Sequence, residues 1–260
     1  MSLYQAAKRL VKETACLLRS IPSTLIAFLC LTVVLMNLFA SKSISGLPPW
    51  LGLDCGFLLS WEEALCEDTV AKRFGPRASV LVSLFAVGIN LVAAGLMTVA
   101  AIIPGAWSAS LDHPEATSAI NDALNATIAS TWFIVLGSVT AYIVSSFVDA
   151  FANWGLRTVV RHDNFLSFIV RSWGSTLVSQ FVDNCVFAFI VSYSFFGWSV
   201  EQCLWGALIG MLFELLCEVV FSPWAFAIVR SWEKNDIGTE YLTTYFRNDV
   251  RESYRQNLVR

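Results

Sequence analysis

The chain has 260 residues, of which 56% are apolar and only 14% charged, with 17 Lys and Arg against 20 Asp and Glu. A soluble domain carries about 25% charged residues, so the solvating surface here is roughly half the usual amount. That excludes a disordered chain and argues against a soluble α/β enzyme or a nucleic-acid binder, which needs clustered basic charge.

Residues 1–20 lack the continuous apolar stretch and small-residue cleavage site of a signal peptide. Leu3, Ala7, Leu10, Val11, Leu17 and Leu18 instead fall at helical spacing, with Lys8, Arg9 and Lys12 between them. This predicts an amphipathic helix lying on the cytoplasmic leaflet. Residues 21–40, 78–104 and 128–147 contain no charge at all. About 20 apolar residues cross a hydrocarbon core of roughly 30 Å as a helix, so each predicts a span. Residues 173–196, with Asp183, and 202–229, with Glu214 and Glu218, predict two more. Residues 50–66 read WLGLDCGFLLSWEEALC and fail on hydropathy alone. Counted as a span, however, they place every Lys and Arg except Lys42 on one side, as the positive-inside rule requires. The expected fold is therefore all-α: a polytopic membrane protein with six transmembrane helices over residues 21–230. The N-terminal helix at 1–20 and a basic tail at 231–260 are both expected in the cytoplasm.

Trp50, Trp107, Trp132, Trp198 and Trp205 fall near the predicted outer span ends and Trp154, Trp173, Trp224 and Trp232 near the inner ones. These resemble two interfacial belts, and Trp61 fits neither, which places it inside the bundle. Residues 105–127 read as a solvated outer loop containing His113. His162 also falls in a loop. The seven cysteines are scattered without metal-site spacing and predict free thiols. No Gly-Lys dipeptide occurs, so there is no phosphate-binding loop, and no cofactor, metal or nucleic-acid partner is expected.

An ionisable group at bilayer depth costs at least ~2.5–3.5 kcal/mol and tends to face a partner or a wet cavity. In the fifth span Arg171, Ser175, Ser179 and Asp183 recur every four residues, with Thr176, Gln180 and Phe187 beside them, so one half of that helix is polar. Interhelical hydrogen bonding would use the same stripe. Gly206, Gly210, Glu214 and Glu218 share a face of the sixth span. The two glutamates lie one turn apart and repel, which favours protonation of one or a nearby cation. Asp149 lies with Tyr142, Ser145 and Ser146 at the inner end of the fourth span. Asp54, Trp61 and Asp68 are spaced by seven and would share a helix face.

The segment Arg171–Phe187, RSWGSTLVSQFVDNCVF, resembles the R-x-x-x-S-T-x-x-x-Q-x-x-D-x-x-x-F signature of the vitamin uptake transporters, the queuosine-precursor transporters among them. Asn37 with Lys42, Asp68 with Phe74-Gly75, Asp149, and Ser222-Pro223 match further motifs of that family, over residues 25–232. The resemblance implies a six-helix carrier of a bacterial inner membrane importing 7-deazaguanine precursors of queuosine. It departs at Lys72, where many members carry an acid, and at Glu214, near where many carry a Lys. A 7-deazaguanine presents adjacent N–H donors that a carboxylate accepts as a pair. An aminomethyl substituent would add a cation suited to a second acid. Asp183 with Glu214 or Glu218 offers both, and Trp61 or Phe187 offers a stacking surface. The alternative is a substrate-binding subunit of an energy-coupling-factor vitamin transporter, disfavoured because residues 21–40 lack an A-x-x-x-A docking pair. An aspartyl dyad of Asp149 and Asp183 lacks the surrounding signatures of an intramembrane protease. A small heterocycle and the lipid bilayer are the expected partners, and a homo-oligomer is compatible with the sequence.

Overall fold

The structure, a computed structural model, describes residues 3–105, 107, 114–159 and 165–246. Among these, extended structure is confined to a single antiparallel bridge between Ser43 and Asp54. The helices are α1 (Leu3–Ser20), α2 (Ser23–Phe39), α3 (Phe57–Phe74), α4 (Pro76–Ile102), α5 (Pro114–Val159), α6 (Phe165–Phe187), α7 (Tyr193–Phe196), α8 (Val200–Lys234) and α9 (Thr239–Tyr241). A π-helical turn, Ala188–Ser192, joins α6 to α7, and a second, Leu242–Phe246, follows α9.

Local chemistry sets these boundaries. Pro22 biases Ile21 away from helical geometry and separates α1 from α2, whose axes meet at 109°. Gly75, at φ +89°, stops α3, and Pro76 opens α4, where a missing N–H costs nothing. Before α8, the Ser199 hydroxyl accepts the Gln202 N–H at 3.2 Å while the Gln202 side chain accepts the Ser199 N–H at 2.9 Å. This reciprocal cap satisfies two donors that the first turn would leave open.

Among the described residues, α4, α5 over Ser118–Asp149, α6–α7 over Thr176–Phe196, and α8 are long and apolar enough to cross a membrane. The bent α1–α2 pair brings the number to five. The expected span at residues 50–66 is not what forms. Residues 50–56 belong to a loop closed by the Ser43–Asp54 bridge, and the helix runs over Phe57–Phe74 with Glu62, Glu63, Glu67, Asp68, Lys72 and Arg73 on it. Asp54 therefore shares no helix face with Trp61 and Asp68. The outer loop is also shorter than expected, because α5 begins at Pro114 and continues into the fourth span.

The chain forms two compact units. The terminal unit comprises Met1–Val33, Trp61–Ile89 and Glu218–Arg260, and the central unit Val34–Ser60 and Asn90–Cys217. A continuous apolar cluster fills the terminal unit, including Leu17, Leu29, Val70, Phe74, Val82, Trp232 and Tyr241. Its turns fit closely: Phe74 lies against Gly238 (φ +80°), where any Cβ would meet the ring, and Phe246 lies against Gly75. The stretch from 231 on, read from sequence as a tail, is folded as far as Phe246, with Trp232 and Tyr241 buried.

In the central unit α5 and α6 form an antiparallel hairpin. Ser145 meets Asp183, and Gly137 meets Val191, pairs placed symmetrically about residue 164. The loop before α3 packs on the start of α8: Gly206 leaves room for the Gly52 carbonyl, and a Cβ at Gly52 would lie 2.6 Å from the Trp198 ring. Trp198 and Trp232 are thus buried packing residues, not members of lipid-facing belts, whereas Trp50, Trp107, Trp132, Trp205 and Trp224 are exposed. The side chains of Trp154 and Trp173 lie outside the described residues. All seven cysteines are free thiols.

Candidate functional site

The central unit holds most of the residues singled out by sequence. Asp183, on α6, accepts a hydrogen bond from the Ser145 hydroxyl of α5 at 2.7 Å. Among the described residues that is the one hydrogen bond made to this carboxylate, so its second oxygen keeps its acceptor capacity. Asn184, the next residue, points around the helix to α8 and donates its amide to Glu214 Oε2 at 3.3 Å. Glu214 is buried at 7% exposure, so the amide offsets part of the cost of enclosing a carboxyl group. Two consecutive residues of α6 thus tie α5 on one side and α8 on the other. Gly210, one turn before Glu214, faces the Asn184 amide, which would stand 3.4 Å from a Cβ there.

Gln180 lies half-buried one turn before Asn184, and Asn37 is buried at 1% exposure near the end of α2. Asp149 is half-buried on α5, one turn past Ser145. The side chains of Arg171 and Ser175 lie outside the described residues, as do His113 and His162. Ser179, in the middle of the polar stripe, turns its hydroxyl back to the Thr176 carbonyl at 3.0 Å.

Three other expected site residues belong to the terminal unit. Trp61 stacks on Phe221 with ring centroids 4.3 Å apart, so one face of the indole is already covered. Asp68 is exposed and pairs with Lys72 at 3.2 Å, an ordinary one-turn helix pair. Glu218 is half-buried on α8. Phe74 and Gly75, matched to a family motif, do structural work here: the ring is core and the glycine is the helix stop.

Asp54 stands apart in the loop. Its carboxylate accepts the Gly56 N–H at 2.8 Å. Burial pushes the carboxyl up to about 7, against the opposite pull of the Gly56 and Phe57 N–H groups. Ser145 and Asn184 were not among the expected site residues. Ser145 was visible as part of a polar cluster, and Asn184 as the polar neighbour of Asp183. What sequence did not carry was the pairing with a particular residue of another helix.

These features define a class: a multi-pass helical membrane protein with carboxylates held by hydrogen bonds inside one of its units. Residues 54–228 match the family model described as "putative vitamin uptake transporter", and the chain belongs to that family. It is therefore an uptake transporter for a vitamin or similar small molecule, working in contact with lipid. The match includes the Arg171–Phe187 signature and begins at Asp54, leaving Asn37 and Lys42 outside it. No curated protein and no solved structure matches the chain.

Proposed function

We propose that this transporter imports a 7-deazaguanine precursor of queuosine across a bacterial inner membrane, with Asp183 as a direct ligand. The observation that carries this reading is the half-occupied carboxylate. Ser145 fixes one oxygen and orients the group, while the other can accept from the adjacent N–H donors of a purine edge. A charge-assisted hydrogen bond of this kind contributes about 1.5–3 kcal/mol. Glu214, positioned by Asn184, is assigned as the second acid, suited to a cationic aminomethyl substituent. Asn37, Asp149, Arg171, Ser175 and Gln180 are assigned to the same polar route. Trp61, Asp68 and Glu218 are not needed for this proposal.

In the topology we favour, α3 is a sixth span and both termini are cytoplasmic. Its acids have local support: Thr32 donates to Glu62 at 3.1 Å, and Ser83 donates to Glu67. With α3 counted, Lys42 is the lone Lys or Arg on the outer side.

The test is uptake of labelled 7-deazaguanines and a panel of vitamins in cells lacking their own importer. Accumulation of a 7-deazaguanine that Asp183→Asn abolishes at normal protein abundance supports the proposal. Accumulation of a vitamin from the panel instead overturns the substrate while leaving the family assignment intact.

A further inference from the structure

Helix α1 is apolar over a wide arc, and the protein covers only one edge of it. Cys16 and Leu17 are buried in the terminal cluster, and Glu13, at 1% exposure, is fixed between Arg77 Nη2 at 2.8 Å and the Tyr241 hydroxyl at 3.5 Å. These contacts fix how α1 is rotated about its axis. The rest of the arc faces outward. Tyr4, Ala7, Val11 and Leu18 follow one another at steps of three, four and seven residues, one stripe of a helix. Tyr4 is 75% exposed, Val11 68% and, at the stripe's margin, Leu10 45%. Sequence periodicity had merged this stripe with Leu17, and the structure separates them.

Charge borders the stripe on one side. At about 100° per residue Lys8, Lys12 and Arg19 form a row next to Tyr4 and Ala15, and all three are exposed. Arg19 approaches Glu240 at 3.9 Å, a loose pair between exposed groups. The one acid on α1 is Glu13, which is turned into the core, so the outer face is free of negative charge. The α1 axis also makes an angle of 109° with charge-free α2. A helix so bent from a span along the membrane normal lies close to the membrane plane.

We infer that the outer face of α1 is a docking surface for anionic lipid headgroups, with Tyr4, Val11 and Leu18 entering the acyl boundary and Lys8 and Lys12 on the phosphates. Apolar area sets the depth of such a helix, and each cation near an anionic leaflet adds attraction. This inference is independent of the transported substrate.

The test places a benzophenone amino acid at position 11 of the full chain in nanodiscs of mixed phosphatidylcholine and phosphatidylglycerol. Irradiated adducts are then read by mass spectrometry. We expect lipid adducts enriched in phosphatidylglycerol over its share of the disc. That enrichment should fall at least about fivefold in the Lys8→Gln/Lys12→Gln double variant. Both lysines are exposed, so the variant should fold, and an unchanged thermal midpoint checks that it does. Adducts to a second copy or another protein, recovery of the probe unreacted, or lipid adducts without headgroup preference would each overturn the inference.

Discussion

Among the described residues, one continuous apolar cluster fills the terminal unit, whereas the central unit shows two small ones, around Val191 and around Trp198, together with polar contacts between its helices. Ion pairs are found in the terminal unit, at Arg77–Glu13, Lys72–Asp68 and Arg19–Glu240, alongside Glu62 and Glu67, which accept from hydroxyls. In the central unit Asp183 accepts from the Ser145 hydroxyl and Glu214 from the Asn184 amide. A carboxylate that accepts a single hydroxyl hydrogen bond, as Asp183 does, keeps acceptor capacity to offer a ligand. With Asp183 as the proposed ligand, stability should rest on the terminal unit and recognition on the central one, a division that substitutions with effects in the wrong column would break.

The largest stability effect is expected at Phe74. Its ring is 1% exposed and packs against Trp232, Tyr241 and Gly238. Phe74→Ala should lose about 3–5 kcal/mol, the range for emptying a core aromatic site. Protein in the membrane should become scarce while KM of the surviving molecules is unchanged. A shift in KM would place this core in control of the site and dissolve the distinction.

Asp54 sharpens the comparison through pH. Its carboxyl is raised in the fold to about 7, above its unfolded value, so the native state binds the extra proton. Stability is then greatest below the unfolded pKa of about 4 and declines as pH rises to about 7, where the buried group ionises. Asp54→Asn keeps an acceptor for the Gly56 N–H and carries no charge. Its thermal midpoint in detergent should exceed that of the wild type at neutral and alkaline pH and converge with it in acid. Equal midpoints at every pH would show that the loop relaxes to hydrate the carboxylate.

The central unit should respond in the opposite sense to Phe74. Asp183→Asn removes the charge but keeps the shape and one acceptor for Ser145. Affinity for the imported substrate should fall more than tenfold, in line with a loss of about 1.5–3 kcal/mol, with abundance maintained. Uptake kinetics alongside quantitative immunoblotting separate the two. Normal abundance with normal uptake removes Asp183 from the site, and scarcity of the variant makes it a structural residue.

How much of this was legible in sequence depended on how local the signal was. The charge-free runs at 78–104 and 128–147 lie within α4 and α5 apart from Ile103 and Pro104, and the polar stripe of α6 pointed to Asp183, because apolar runs and periodicity are read along one segment. The start of α3 was misplaced because WLGL has the composition of a span. What holds it as loop is the passage of Gly52 between Trp198 and Gly206, residues about 150 positions away. The same distance concealed the burial of Trp198 and Trp232 and the Glu13–Arg77–Tyr241 contact. Ser145–Asp183 and Asn184–Glu214 were hidden for that reason too, since a polar residue shows that it needs a partner and not which one it has.

The smallest expected effect lies at Gly210. A Cβ there would stand 3.4 Å from the Asn184 amide nitrogen, in ordinary contact, so the 3.3 Å bond from that amide to Glu214 can stay as it is. Replacing a helix-interior glycine by alanine stabilises a helix by roughly 0.5–1 kcal/mol. The thermal midpoint of Gly210→Ala should therefore equal or slightly exceed that of the wild type, with KM and abundance unchanged, which kinetics on equal amounts of protein would check. A loss of stability approaching that of Phe74→Ala would mean that the contact between α6 and α8 is packed as tightly as the terminal core, and the division between the two units would fail at the place where it matters most.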